Sequence, residues 1–108
     1  MSHDVSLETK DVDGNPIWIE VGNITYNLTP MTHEAGMPYL GDIHDMAPPA
    51  GELAGILDQA ITRMLSEPDM FKALNPPNGW GNYDGALKFL TTFRDACIKD
   101  PSATVRVY

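Results

Sequence analysis

Two histidines and three carboxylates crowd into thirteen residues of this chain, as His33-Glu34 and Asp42-Ile43-His44-Asp45. Imidazole and carboxylate are ligands for zinc and for non-haem iron, so His33, His44 and Asp42 are the residues a metal-dependent hydrolase would use here. Their spacing matches no established ligand pattern, and no helical His-x-x-x-His is present. Acidic loops of this kind are ordinarily solvated. Other reactive groups are fewer. Cys97 is the single cysteine. It falls on the apolar stripe of a helix, where a buried thiol is inert. No serine occupies a Gly-x-Ser-x-Gly elbow, and no glycine-rich loop has phosphate-binding spacing. The sequence therefore assigns no catalytic residue and implies no cofactor.

Recognition chemistry is better represented. The stretch Asn75-Pro76-Pro77-Asn78-Gly79-Trp80-Gly81-Asn82-Tyr83-Asp84-Gly85 packs breakers and turn formers around two large aromatics. Pro76 and Pro77 forbid continuation of the preceding helix, and Gly79 and Gly81 accept positive φ. Trp80 and Tyr83, with Asn78 and Asn82, could form one wall of a small-ligand pocket, facing residues 29–49. The competing expectation is that Trp80 plugs the core and the asparagines satisfy turn backbone. Tyr26 and Asn27 could present a hydroxyl and an amide near a strand end, although Tyr26 shares a face with Ile24 and Leu28 and so reads as a core tyrosine. Trp18 and Glu20 lie on the other face of their strand. If no helix covers that face, Trp18 is an exposed aromatic and a contact anchor.

Charge narrows the partners. The net charge is −8. Residues 1–62 hold ten acids against the single base Lys10, a net −9, whereas residues 63–108 hold five acids against six bases, a net +1. Such a field opposes phosphate backbones and anionic lipid, so neither direct nucleic-acid binding nor membrane binding is expected. An acidic half suits a basic partner, or serves solubility. No apolar run approaches the roughly 18 residues that span a bilayer. Met1-Ser2-His3-Asp4-Val5 lacks the basic and apolar regions of a signal peptide, and one cysteine gives no disulfide. A cytoplasmic compartment is the expectation.

The elements that must position these residues follow from periodicity. Val5 and Leu7 alternate with polar neighbours, Asp13-Gly14-Asn15-Pro16 is a turn, and Ile17, Ile19 and Val21 alternate as a half-buried strand. Gly22-Asn23 reads as a tight hairpin linker leading to a third strand through Ile24, Tyr26 and Leu28. Thr29 and Pro30 start a short helix that stops at Gly36, and the rest of residues 29–49 is expected to be irregular. Leu53, Ile56, Leu57, Ala60, Ile61, Met64 and Leu65 mark a helix over residues 50–65. Ser66-Glu67-Pro68-Asp69 resembles a capping box for a short helix through Phe71. Asn82 or Asp84 caps the last helix, with Ala86, Phe89, Leu90, Phe93 and Cys97 on one face. Ala103, Val105 and Val107 then alternate as a terminal strand. The 108 residues thus read as one α+β domain. A small mainly antiparallel sheet, an N-terminal meander plus the C-terminal strand, carries two to four helices on one face.

The run Ile24-Thr25-Tyr26-Asn27-Leu28-Thr29-Pro30-Met31, the central amphipathic helix and the Asn75-to-Tyr83 segment together resemble a set of small uncharacterised proteins from bacteriophages and bacteria. The likeness covers residues 22–107, and Asn78-Gly79-Trp80-Gly81 is its most specific part. It carries over no catalytic residue. It implies a small phage-encoded accessory protein acting in the host cytoplasm on a host factor or a small signalling molecule. The leading expectation is a non-enzymatic protein-binding module. A small-ligand binder with a pocket at Trp80 and Tyr83 comes second, and the His33/His44 hydrolase third. An uncovered sheet face and the terminal strand leave room for a symmetric homodimer.

Overall fold

Alternation of apolar and polar residues builds a three-stranded antiparallel sheet in the order β2-β1-β3, from β1 (Ser2–Lys10), β2 (Pro16–Thr25) and β3 (Thr104–Val107). This computed structural model describes residues 1–108. Asp11 closes the β1–β2 turn: its carboxylate accepts the Asn15 and Asp13 amides, each at 2.9 Å, and these bonds hold its pKa below the usual carboxylate value.

Gly22-Asn23 is not a hairpin. It lies inside one continuous β2, at a bulge where the register passes from Ser6↔Glu20 to Val5↔Gly22 and leaves Val21 as the extra residue. The physical reason is phase. Ile19 and Val21 face inward at odd positions and Ile24 at an even one, so a strand of strict period two would expose one set. The inserted residue turns both sets to the same side. Gly22 takes φ +152°, a conformation that side-chain-bearing residues rarely adopt, while a Cβ there would make only an ordinary contact with the Phe89 ring, at 3.7 Å. The third expected strand is accordingly shorter. After Thr25 the chain enters a single 3₁₀ turn at Tyr26–Leu28.

The helices are α1 (Thr29–Glu34), α2 (Leu40–Met46), α3 (Ala50–Ser66), α4 (Pro68–Lys72) and α5 (Tyr83–Lys99). Residues 29–49 are thus mostly helical rather than irregular; α2, with Ile43 fully buried, was hidden because a single inward residue makes no readable period. Helix α5 lies against β2, α3 against α5, and α2 against β3. Their inward faces and the sheet enclose one apolar core that includes Leu7, Leu57, Phe71, Leu90, Phe93 and Val105. On α3, Leu53, Leu57, Ala60, Ile61 and Met64 are buried, while Ile56 and Leu65 at the margins of the stripe are exposed. The expected capping box before α4 does not form. The Ser66 hydroxyl instead donates back to the Thr62 carbonyl at 2.7 Å. Asn82 does cap α5, accepting the Gly85 amide at 2.8 Å.

Proline placement explains the buried tyrosine. Met64 O would accept from residue 68 in a continuing helix, but Pro68 has no N–H. The Tyr83 hydroxyl donates to that carbonyl at 2.8 Å, and the Tyr83 amide donates to Asn75 Oδ1 at 2.8 Å. Between these anchors the 75–83 turn runs against the 3₁₀ turn. Gly81, at φ +95°, approaches so closely that a Cβ would meet Leu28 and Thr25 side chains at 2.8–2.9 Å. Gly79, at φ +75°, faces open space.

Two stability outcomes follow. Gly81→Ala should cost about 2–3 kcal/mol more than Gly79→Ala in urea unfolding, since both strain the backbone but only the former overpacks. Tyr83→Phe should cost about 1–3 kcal/mol by leaving a buried carbonyl unpaired. Equal losses at the two glycines, or an unchanged midpoint for Tyr83→Phe, would contradict this packing.

Candidate functional site

The alternation that buries Val5, Leu7, Val105 and Val107 sends their neighbours to the other side of the sheet. Asp4, Ser6 and Glu8 of β1, Trp18, Glu20 and Asn23 of β2, and Thr104, Arg106 and Tyr108 at β3 share that face. No residue of this face is buried, and Trp18 and Tyr108 are 52% and 60% exposed. Their rings nonetheless meet across β1, with centroids 6.3 Å apart. Tyr108 in turn meets the edge of His44 on α2 at 6.2 Å. An aromatic lane therefore crosses the sheet from β2 to α2. Polar pairs flank it: Arg106 binds Glu8 at 2.9 Å, and the Asn23 amide donates to Asp4 at 2.8 Å and to Ser2 at 2.9 Å.

The two sheet edges differ. The Pro48 carbonyl accepts from Val105 at 3.0 Å and Ala50 donates to Ala103 at 2.7 Å, so residues 48–50 cover the outer side of β3. Prolines suit this place because an edge segment need not donate. Strand β2 has β1 as its sole ladder partner, and its outer edge is open.

Where the lane reaches α2 it opens into a shallow cleft of about 500 Å³, lined by His3, Tyr26, Asp42, His44, Asp45 and Tyr108 among others. His3 and Tyr26 pack at 4.2 Å. Tyr26 is thus a cleft residue rather than a core tyrosine, because the 3₁₀ turn breaks the alternation with Ile24 and Leu28. Partial burial pushes the His3 pKa below its ordinary value.

The other expected residues lie elsewhere. Trp80 is 63% exposed and Tyr83 is buried, so they do not form one wall, and neither lines any recess of the molecule. Nor does Trp80 plug the core. Asn78 accepts the Trp80 amide at 3.0 Å and reaches Asn27 at 3.4 Å, while the Asn27 amide donates to Thr25 Oγ1 at 3.1 Å. These amides are turn fasteners. His33 stacks on Tyr39 at 4.1 Å, with Nδ1 directed to the Met37 carbonyl at 3.1 Å. It lines a different recess from His44, and no three His, Cys, Asp or Glu side chains converge on a common point. Burial pushes the Cys97 thiol up to about 12, which removes thiolate at neutral pH.

Sequence reasoning missed His3 and Tyr108 as site residues. Each sits at a strand terminus, and only the strand order, with β1 in the middle, brings Tyr108 next to Trp18. Comparison with protein-family models, with curated proteins and with solved structures finds no match to this chain. No helix is long and apolar enough to cross a membrane.

His3 gives a pH signature. Its folded pKa lies below the unfolded value near 6.5, so acid favours the unfolded chain, which takes up the proton more readily. That contribution is present at neutral pH and is lost as pH falls through the unfolded pKa towards the folded one. Between about pH 7.5 and pH 5, unfolding free energy should fall more for the native chain than for His3→Gln. Parallel losses would show that burial does not disfavour the His3 charge.

Proposed function

We propose that this chain is a non-enzymatic binding module that contacts another protein through the open face of its sheet, with Trp18 as the anchor. One observation carries the reading: a half-exposed tryptophan meets a half-exposed tyrosine on a sheet face that no helix covers. Large aromatics held in place lose little conformational entropy on binding and supply much contact area, which is why such residues dominate interface energies. The likeness of residues 22–107 to small bacteriophage and bacterial proteins supports a phage-encoded accessory role in the host cytoplasm, with a host protein as partner.

A second reading is a small-ligand site, favoured by the cleft between β1, β3 and α2. Its aromatic and acidic lining, with Tyr26 and Tyr108 beside Asp42 and Asp45, would take the place of the Trp80 pocket that the sequence suggested.

A photoreactive phenylalanine analogue at position 18 tests the leading reading in host cells. It should crosslink a discrete protein that the same group at exposed Leu65, on α3, does not. Recovery of that protein on the native chain should fall about tenfold or more with Trp18→Ala. Identical crosslinks from both positions, or unchanged recovery, would count against the anchor.

A further inference from the structure

We propose that the occupant of the open sheet face is a basic segment of the partner protein, whose arginine or lysine side chains lie over Trp18 and Tyr108. This rests on the protein-binding reading above and names the chemistry of the partner.

The charges on and around the lane are one-sided. Asp4 and Glu20 stand exposed on the face, and Asp42 and Asp45 stand exposed on α2 beside Tyr108. The face offers two basic side chains: Arg106, which Glu8 engages at 2.9 and 3.0 Å, and Lys10, two residues beyond Glu8 on β1. Lys10 lies at the far end of the hairpin, opposite Pro16. The remaining bases, Arg63, Lys72, Lys88, Arg94 and Lys99, belong to α3, α4 and α5. Four carboxylates therefore border the two aromatic rings, against one unpaired cation on the face, Lys10, and the imidazoles of His3 and His44 beside Tyr108.

That arrangement selects among occupants. A cation is attracted by the π face of an indole or phenol and by each bordering carboxylate, and the two attractions add in one direction. An acidic segment or a nucleic acid meets mostly like charge there. A second copy of this chain is disfavoured for the same reason: stacked on itself, the face would set Asp4, Glu20, Asp42 and Asp45 against their own kind.

The two tryptophans make the test self-controlled, because Trp18 lies on the face and the exposed Trp80 lies on the 75–83 turn. Isotope-labelled protein is titrated with a peptide of alternating Arg and Thr, and separately with one of alternating Glu and Thr, at about 0.15 M salt. The Arg peptide should move the Trp18 indole signal and the amides around Glu20, Asp45 and Tyr108, leaving the Trp80 indole in place; the Glu peptide should move none of them. Trp18→Ala should weaken binding about fivefold and Glu20→Gln about threefold, whereas Asp69→Asn on α4, which removes the same charge elsewhere, should leave it unchanged. Absence of binding, equal shifts at both indoles, or equal weakening by Glu20→Gln and Asp69→Asn would overturn the proposal. If the peptide fails while crosslinking from position 18 still captures a protein, the basic assignment falls and the binding face stands. If both fail, both readings fall.

Discussion

One inserted residue in β2 determines which side of the sheet is which. Without the bulge at Val21 and Gly22, Ile24 would point away from Ile19 and Val21, and neither face would be wholly apolar or wholly polar. With it, Ile19, Val21 and Ile24 turn to the core side together. The glycine's positive φ permits the bulge, and the Phe89 ring of α5 packs over it. The exposed face is the complement of this choice. Trp18, Glu20 and Asn23 stand outside because Ile19, Val21 and Ile24 stand inside.

A second set of constraints fixes the end of the sheet near α2. The 3₁₀ turn at Tyr26–Leu28 stops β2 and diverts Tyr26 from the core to His3. The 75–83 turn closes over the same place, with Gly81 against Leu28 and Asn78 reaching Asn27. It is held from below by Tyr83, whose hydroxyl serves the carbonyl that Pro68 leaves without a donor. Chain breakers thus create vacancies in hydrogen bonding that distant side chains fill, and the filled vacancies lock loops to one another. The asparagines and glycines that looked like pocket furniture are components of this fastening.

Much of the architecture was legible because long periodic segments carry their own burial pattern. The stripe from Leu53 to Met64 and the face from Ala86 to Cys97 define α3 and α5, and Val105 and Val107 define the terminal strand. The α+β class follows from these alone. Elements with one or two inward residues, such as α2, leave no period to read. A bulge and a hairpin share one sequence signature, because both devices use glycine and both shift the phase of alternation; pairing with β1 separates them, and pairing is not local. Trp18 was legible as a conditional anchor. Its partner Tyr108 was not, since ninety residues of sequence separate two rings that the strand order places 6.3 Å apart. The expectation that Trp80 and Tyr83 share a wall failed for a related reason: three residues apart, they straddle a helix start, and the first stays outside while the second turns in.

The central claim is that the uncovered sheet face, and not the Trp80 turn, is the working surface. Hydroxyl-radical footprinting, comparing the purified protein with the protein inside cells, addresses it directly, because both tryptophans and Tyr108 are exposed in the isolated chain. The account predicts that Trp18 and Tyr108 become protected together in cells while Trp80 oxidises as before. Protection of Trp80 with Trp18 and Tyr108 unchanged would contradict it.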